Sequence, residues 1–129
     1  MSYSCEKLQD LPISIFAPLA DWDWADMPLV NAELEAIWEA SSVPMIHITD
    51  FSNQQLSYDA LVKGTANAGL GSNPLFSHPN VKEIIIVTTQ DAVVFAINQI
   101  SSGKNVYQMG TVRTMPTLDE ALRYARQQF

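Results

Sequence analysis

The sequence predicts an α/β domain: a four- or five-stranded, mostly parallel mixed sheet with about four helices. Three observations predict it. Strand-like and helix-like segments alternate along the chain, the pattern of a sheet with covering helices. One segment, Ile84-Ile85-Ile86-Val87, is a continuous β-branched run between turn signals, as expected of a strand buried on both faces. The last segment, Thr117-Leu118-Asp119-Glu120, has the spacing of a capping box and opens an apolar stripe at helical period.

The elements follow in order. Residues 12–19, with Ile13, Ile15 and Phe16, read as the first strand. The polar and aromatic loop Asp21-Trp22-Asp23-Trp24 follows. Asp26 is placed to cap a helix whose first turn accepts Pro28. Val30, Leu34, Ile37 and Trp38 then share one face, and Glu33, Glu35 and Glu39 the other. Residues 43–51 read as a strand, and Ser57 as the cap of a second helix that stops at Gly69, Gly71 and Pro74. Residues 72–80 are a turn-rich connector. Residues 81–89 form the buried strand, and Asp91 caps a third helix over 92–102 that stops at Gly103. Residues 106–113 read as the last strand, and the closing helix carries Leu118, Ala121, Leu122, Ala125 and Phe129 as its stripe. The first connection is the least regular, which leaves the direction of the first strand open, antiparallel included. Residues 1–10 have room for one more short strand.

Composition sets the class. The chain has 129 residues, 47% of them hydrophobic and 16% charged, so one domain over 1–129 with a full core is expected. Seven Lys and Arg stand against fourteen Asp and Glu, for a net charge of −7. The cations Lys7, Lys63, Lys82, Lys104, Arg113, Arg123 and Arg126 form no run, which argues against nucleic acid and anionic membranes as partners. The single cysteine, Cys5, makes no internal disulfide and fits a reducing compartment. No apolar run approaches the ~20 residues of a membrane span, and residues 1–11 lack a signal-peptide core, so a cytoplasmic location is expected.

The residues that carry chemistry are few. The glycines of 64–71 end a helix, whereas phosphate-cradling loops precede one. His47 lies on a strand opposite Ile46 and Ile48, and a structural role is expected of it. Two histidines with no cysteine cluster do not suggest a zinc site, although Asp50 could add a ligand. Ligands in open parallel sheets bind outside the carboxyl ends of the strands. That rule singles out Asp50, Ser52, Ser57, Thr89 and Asp91. His78 sits in the turn before the buried strand, and Trp22 and Trp24 can line an interface or cover a pocket, whereas Trp38 is expected in the core. No spacing pairs a nucleophile with a base, so no catalytic residue, cofactor or metal is expected.

Residues 43–129 resemble the STAS-like proteins with a SpoIIAA-like fold. The resemblance is carried by Val43-Pro44-Met45-Ile46-His47-Ile48-Thr49-Asp50-Phe51, by Leu56-Ser57-Tyr58-Asp59-Ala60, by residues 78–88, and by the strand-turn-helix ending over 112–122. It implies a sheet flanked by helices on one side, and a binding or regulatory role through a protein partner, with the domain itself a homodimer. In anti-sigma-factor antagonists of this group a serine at a helix start, within Asp-Ser-(Ser/Thr)-Gly, is phosphorylated. Ser57 occupies a similar place, but Tyr58 and Asp59 follow it and no glycine does. Capping is therefore the expected role of Ser57. Lipid-carrying domains with a similar tail imply a second reading: a small apolar ligand held under the Trp22/Trp24 loop. The candidate site is thus Trp22, Trp24, Asp50, Ser52, Ser57 and His78.

Overall fold

The apolar stretches rich in β-branched residues pair into one sheet. The structure, a computed structural model, describes residues 3–54, 78–95 and 111–129. Within them are five strands: β1 (Tyr3–Lys7), β2 (Ile13–Pro18), β3 (Met45–Asp50), β4 (Val81–Val87) and β5 (Thr111–Met115). They lie side by side in chain order. β1 runs antiparallel to β2, and β2 to β5 are mutually parallel. The extra N-terminal strand thus supplies the antiparallel pair, and the first predicted strand, β2, runs with the rest. β5 extends two residues beyond the predicted end at Arg113. The predicted second helix with Ser57, the rest of the third helix past residue 95, and residues 106–110 of the last predicted strand lie outside the described residues.

Helix α1 (Met27–Glu39) begins after a 3₁₀ turn at Trp24–Asp26. Pro28 falls in its first turn as expected. Asp26 stands at the N-cap position but makes no side-chain capping bond. Its backbone (φ −86°, ψ 1°) is not the extended conformation that swings a cap side chain over the first turn. Asp23 acts one turn earlier instead, its Oδ1 accepting the Ala25 N–H at 2.9 Å. Residues 91–95 are also helical. The Gln90 carbonyl accepts the Val94 N–H, so Gln90 holds the cap position and Asp91 lies inside the first turn, where its charge suits the helix dipole. The last helix, α2 (Leu118–Arg126), starts as predicted: Thr117 has extended backbone and its Oγ1 accepts the Glu120 N–H at 3.2 Å.

Both faces of the sheet are covered. Val30, Leu34 and Trp38 of α1 bury against Phe16 and Met45. Val93, from the helical residues 91–95, packs with Ile84, Ile86 and Val112 on that same face. Ala121 and Ala125 of α2 seal the opposite face over Ile13, Ile15, Ile46, Ile48, Ile85 and Val87. The expectation of helices on one side therefore holds for α1 and the helical residues 91–95, and not for α2. Successive parallel neighbours joined by right-handed crossovers put those helices on one face. α2 follows β5, joins no two of the described parallel strands, and covers the other face. Phe129, expected in the α2 stripe, is 45% exposed because the helix ends at Arg126; its ring instead carries the Lys82 ammonium at 4.3 Å.

β3 is buried along its whole length, and it still carries polar side chains. His47 is fully buried. Its Nδ1 lies 2.8 Å from Ser14 Oγ on β2, and its Nε2 lies 3.0 Å from Thr49 Oγ1. Ser14 Oγ also accepts the Trp38 indole N–H at 3.0 Å, and the indole meets the imidazole edge to face at 5.4 Å. Both ring nitrogens are thereby matched to hydroxyls. Burial pulls the His47 pKa from 6.5 down to about 3, so the ring is neutral at pH 7.

Two predictions follow from this packing. Ile85 of β4 is fully buried between β3 and β5, so Ile85→Asp places an unpaired charge in the core, at a cost of about 3–5 kcal/mol. Circular dichroism of Ile85→Asp should show loss of the cooperative melt, and a variant melting with the native chain would refute the placement. The second concerns acid. The unfolded chain takes up a proton at His47 below its ordinary pKa of 6.5 while the folded chain does not, so stability falls as the pH drops from 6.5 towards 3. The loss at pH 5.5 is about 1.4 kcal/mol. Urea titrations at pH 7.5 and 5.5, made in a His78→Gln background so that His47 alone titrates as a histidine, measure it directly.

Candidate functional site

The carboxyl ends of β3 and β4 turn outward side by side. The ladder continues past the strands: the Phe51 N–H bonds the Val87 carbonyl and the Thr88 N–H bonds the Met115 carbonyl, each at 2.9 Å. Each chain end is then turned by its own side chain. Asp50, largely buried, accepts the Ser52 N–H on Oδ1 at 3.0 Å. Thr88, also buried, accepts the Gln90 N–H on Oγ1 at 3.1 Å. Gln54 ties this edge to the end of β2, donating from Nε2 to the Leu19 carbonyl at 2.6 Å.

Between these turns lies a cleft of about 330 Å³, lined by Phe51, Ser52, Gln54, Thr88, Thr89 and Gln90. Hydroxyls and carboxamides dominate the lining, and none of the six side chains titrates near neutrality. Such a surface can donate and accept hydrogen bonds to a polar partner. Among the described residues, its lining offers no group to act as general base or to activate a nucleophile. Among the described residues, no group of three or more His, Cys, Asp and Glu is placed to hold a metal ion.

The residues singled out from the sequence divide between several places. Ser52 and Thr89 line the cleft, and Asp50 shapes it from beneath. Asp91 is exposed in the helical turn just beyond. Ser57 lies outside the described residues. Trp22 is half-buried and packs edge to face on Tyr3 and Phe16, each at 5.4 Å between centroids, on the α1 side of the sheet. The backbone of Trp24 belongs to the 3₁₀ turn. His78 sits at the other end of the sheet, before β4. Its Nδ1 accepts the Asn80 N–H at 3.1 Å, and its ring lies 5.2 Å from that of Trp38.

Sequence reasoning did not single out Phe51, Gln54, Thr88 or Gln90, which complete the cleft. It also passed over a cluster on the α2 face. There the largely buried Glu83 carboxylate pairs with the Arg113 guanidinium and accepts the Tyr124 hydroxyl on both oxygens, at 2.9 and 3.0 Å. Arg113 also lies over the Tyr124 ring at 4.6 Å. Burial, and then the bond to Glu83, hold the Tyr124 phenol above its ordinary range. This cluster neutralises a buried carboxylate and pins α2 to β4 and β5. Cys5 on β1 is a poor nucleophile, since burial, and then Glu33, push its thiol up to about 12.

Comparison with protein-family models and with curated proteins finds no match. Among solved structures, the chain is similar to an uncharacterized protein of the DUF3478 family from Shewanella loihica PV-4, described as having a SpoIIAA-like fold. The similarity covers 95% of this chain and 91% of that one, with a TM-score of 0.61 and 16% sequence identity. At that identity the likeness speaks for the arrangement of the backbone. The chain has a SpoIIAA-like fold: a five-stranded mixed sheet with helices packed on it.

Proposed function

We propose that this domain is a non-enzymatic, STAS-like binding module that regulates a protein partner by holding it at the carboxyl-end cleft of β3 and β4. The observation that carries the reading is the lining itself. Ser52, Gln54, Thr88, Thr89 and Gln90 present hydroxyls and carboxamides around the aromatic ring of Phe51. Groups of this kind match the hydrogen bonds of a peptide backbone or of polar side chains. They lie on turns fixed by buried Asp50 and Thr88, so the surface is presented from rigid strand ends. The SpoIIAA-like fold accords with a binding or regulatory role. No helix among the described residues is long and apolar enough to cross a membrane. The alternative, a small apolar ligand or lipid beneath the Trp22/Trp24 loop as a lid, has less in its favour, because polar side chains line the cleft and Trp22 packs on Tyr3 and Phe16.

A photo-crosslinking residue placed at Ser52, with a control at exposed Ser42, tests the reading in cells of the source organism. Crosslinks to a discrete protein should form from position 52 and not from position 42. Thr89→Arg, which inserts bulk and charge into the lining, should reduce them at least tenfold while leaving the melting temperature within a few degrees, since surface changes usually cost under about 0.5 kcal/mol. Equal crosslinking from both positions, or retention in Thr89→Arg, would count against the proposal.

A further inference from the structure

Among the described residues β1 pairs with β2 alone and forms one edge of the sheet. The Leu8 N–H bonds the Ile13 carbonyl, one step beyond the register in which Lys7 faces Ser14. Ladder bonds of an antiparallel pair fall on alternate residues. Ser4 and Glu6 therefore turn their backbone groups to β2, and Tyr3, Cys5 and Lys7 turn theirs outward. Pro18 agrees with this phase: it has no N–H to give, and it stands opposite Tyr3, where none is required. The register runs from Tyr3 to Lys7 without a bulge, and β1 contains no proline, so two common devices for closing a sheet edge are missing from it.

We propose that β1 pairs antiparallel with β1 of a second copy of this chain, joining the two five-stranded sheets into one two-fold dimer. An axis through Cys5 overlaps the whole strand: Cys5 faces its own copy, Tyr3 faces Lys7, and Ser4 faces Glu6. The outward backbone groups of Tyr3, Cys5 and Lys7 then meet one another, as a ladder requires. An axis through Glu6 would instead set that carboxylate against its own copy. The side chains favour the Cys5 register. Tyr3 and Cys5 pack on the α1 side of the sheet, and Lys7 shares that side because it stands opposite Ser14, which bonds Trp38 of α1. Tyr3 donates its hydroxyl to Glu33 Oε1 at 3.0 Å, which places the exposed Glu33 of α1 over this edge. The partner's Lys7, opposite Tyr3, arrives beside that carboxylate, and the two-fold makes the same pair twice. Within one copy the Lys7 ammonium donates to the Leu8 carbonyl at 3.0 Å. Leu29 lies one turn before Glu33 on the same side of α1 and is 60% exposed, so pairing also shields an apolar group. On the other face the Ser4 hydroxyl meets the Glu6 carboxylate. The copies of β3 run antiparallel in such a dimer, so the two carboxyl-end clefts lie at opposite ends of the joined sheet, and the pairing does not depend on what they bind.

Sedimentation velocity of the whole chain, from micromolar to millimolar concentration, tests the pairing. The native chain should pass from monomer to dimer over that range. Lys7→Glu and Glu33→Lys should each weaken association at least tenfold, and the two together should restore it, because each carboxylate again meets an ammonium. Lys82→Glu, an equal change of charge on β4, should leave it unchanged. Lys7 and Glu33 are exposed, so circular dichroism should show all these variants melting within a few degrees of the native chain. Disulfide formation reads the register independently, in a Cys5→Ser background. Ser4→Cys chains mixed with Glu6→Cys chains should oxidise to the mixed dimer at least tenfold faster than either chain links to itself, since residues directly opposite hold their Cα atoms within the about 4.4–6.8 Å that a disulfide spans. A chain that stays monomeric throughout, a double charge swap that does not restore association, or a mixed disulfide that forms no faster than the self-linked ones would each overturn the proposal.

Discussion

Everything in this fold depends on β3 being buried on both faces while carrying polar side chains. A buried donor or acceptor left without a partner costs about 1–3 kcal/mol, so each polar group on β3 dictates what stands next to it. His47 requires hydroxyls on both ring nitrogens and has Ser14 and Thr49. Ser14 is delivered by the β2–β3 register, in which it stands opposite His47. A shift of one residue would turn Ser14 away and put an isoleucine against the imidazole. Trp38 completes the set, because its indole N–H needs a buried acceptor and Ser14 supplies one. One polar chain thus fixes the register of two strands and the seat of α1.

The same requirement shapes the other end of β3. Asp50 and Thr88 are buried at the points where their strands stop, and each is satisfied by a backbone N–H two residues on. Those two bonds turn the chains and leave hydroxyls and carboxamides between them. The cleft is therefore a consequence of how β3 and β4 end, not an addition to the fold. On the far face Glu83 raises a third case of buried polarity, answered by Arg113 and Tyr124, and that answer locates α2. Three buried polar groups, His47, Asp50 and Glu83, between them position α1, the cleft and α2.

What the sequence disclosed followed the range of the interactions. The run Ile84–Val87 and the Thr117 cap are local signals, and both appear in the structure where they were read. Ser52 and Thr89 were legible because strand ends can be found from local pattern alone. Asp26 stands at the expected N-cap position but makes no capping bond, because a 3₁₀ turn precedes the helix, and Asp91 lies one residue inside its helix, because Thr88 accepts the Gln90 N–H and Gln90 takes the cap position. His47 could be read as structural, but its partner Ser14 lies 33 residues away and is found only through strand register. Asn80 reaches Trp38 across 42 residues, and Tyr124 reaches Glu83 across 41. Nothing local marks these pairs. The direction of β2 and the second covered face were hidden for the same reason.

The claim that a neutral, fully satisfied imidazole at the middle of the sheet holds the fold together is tested most directly by nitrogen NMR of the histidine rings. At pH 5.5 the His47 signals should be those of a single neutral tautomer with both nitrogens hydrogen-bonded, because burial holds its pKa near 3, well below the ordinary 6.5. An imidazolium signature for His47 at pH 5.5 in the folded protein would contradict the account.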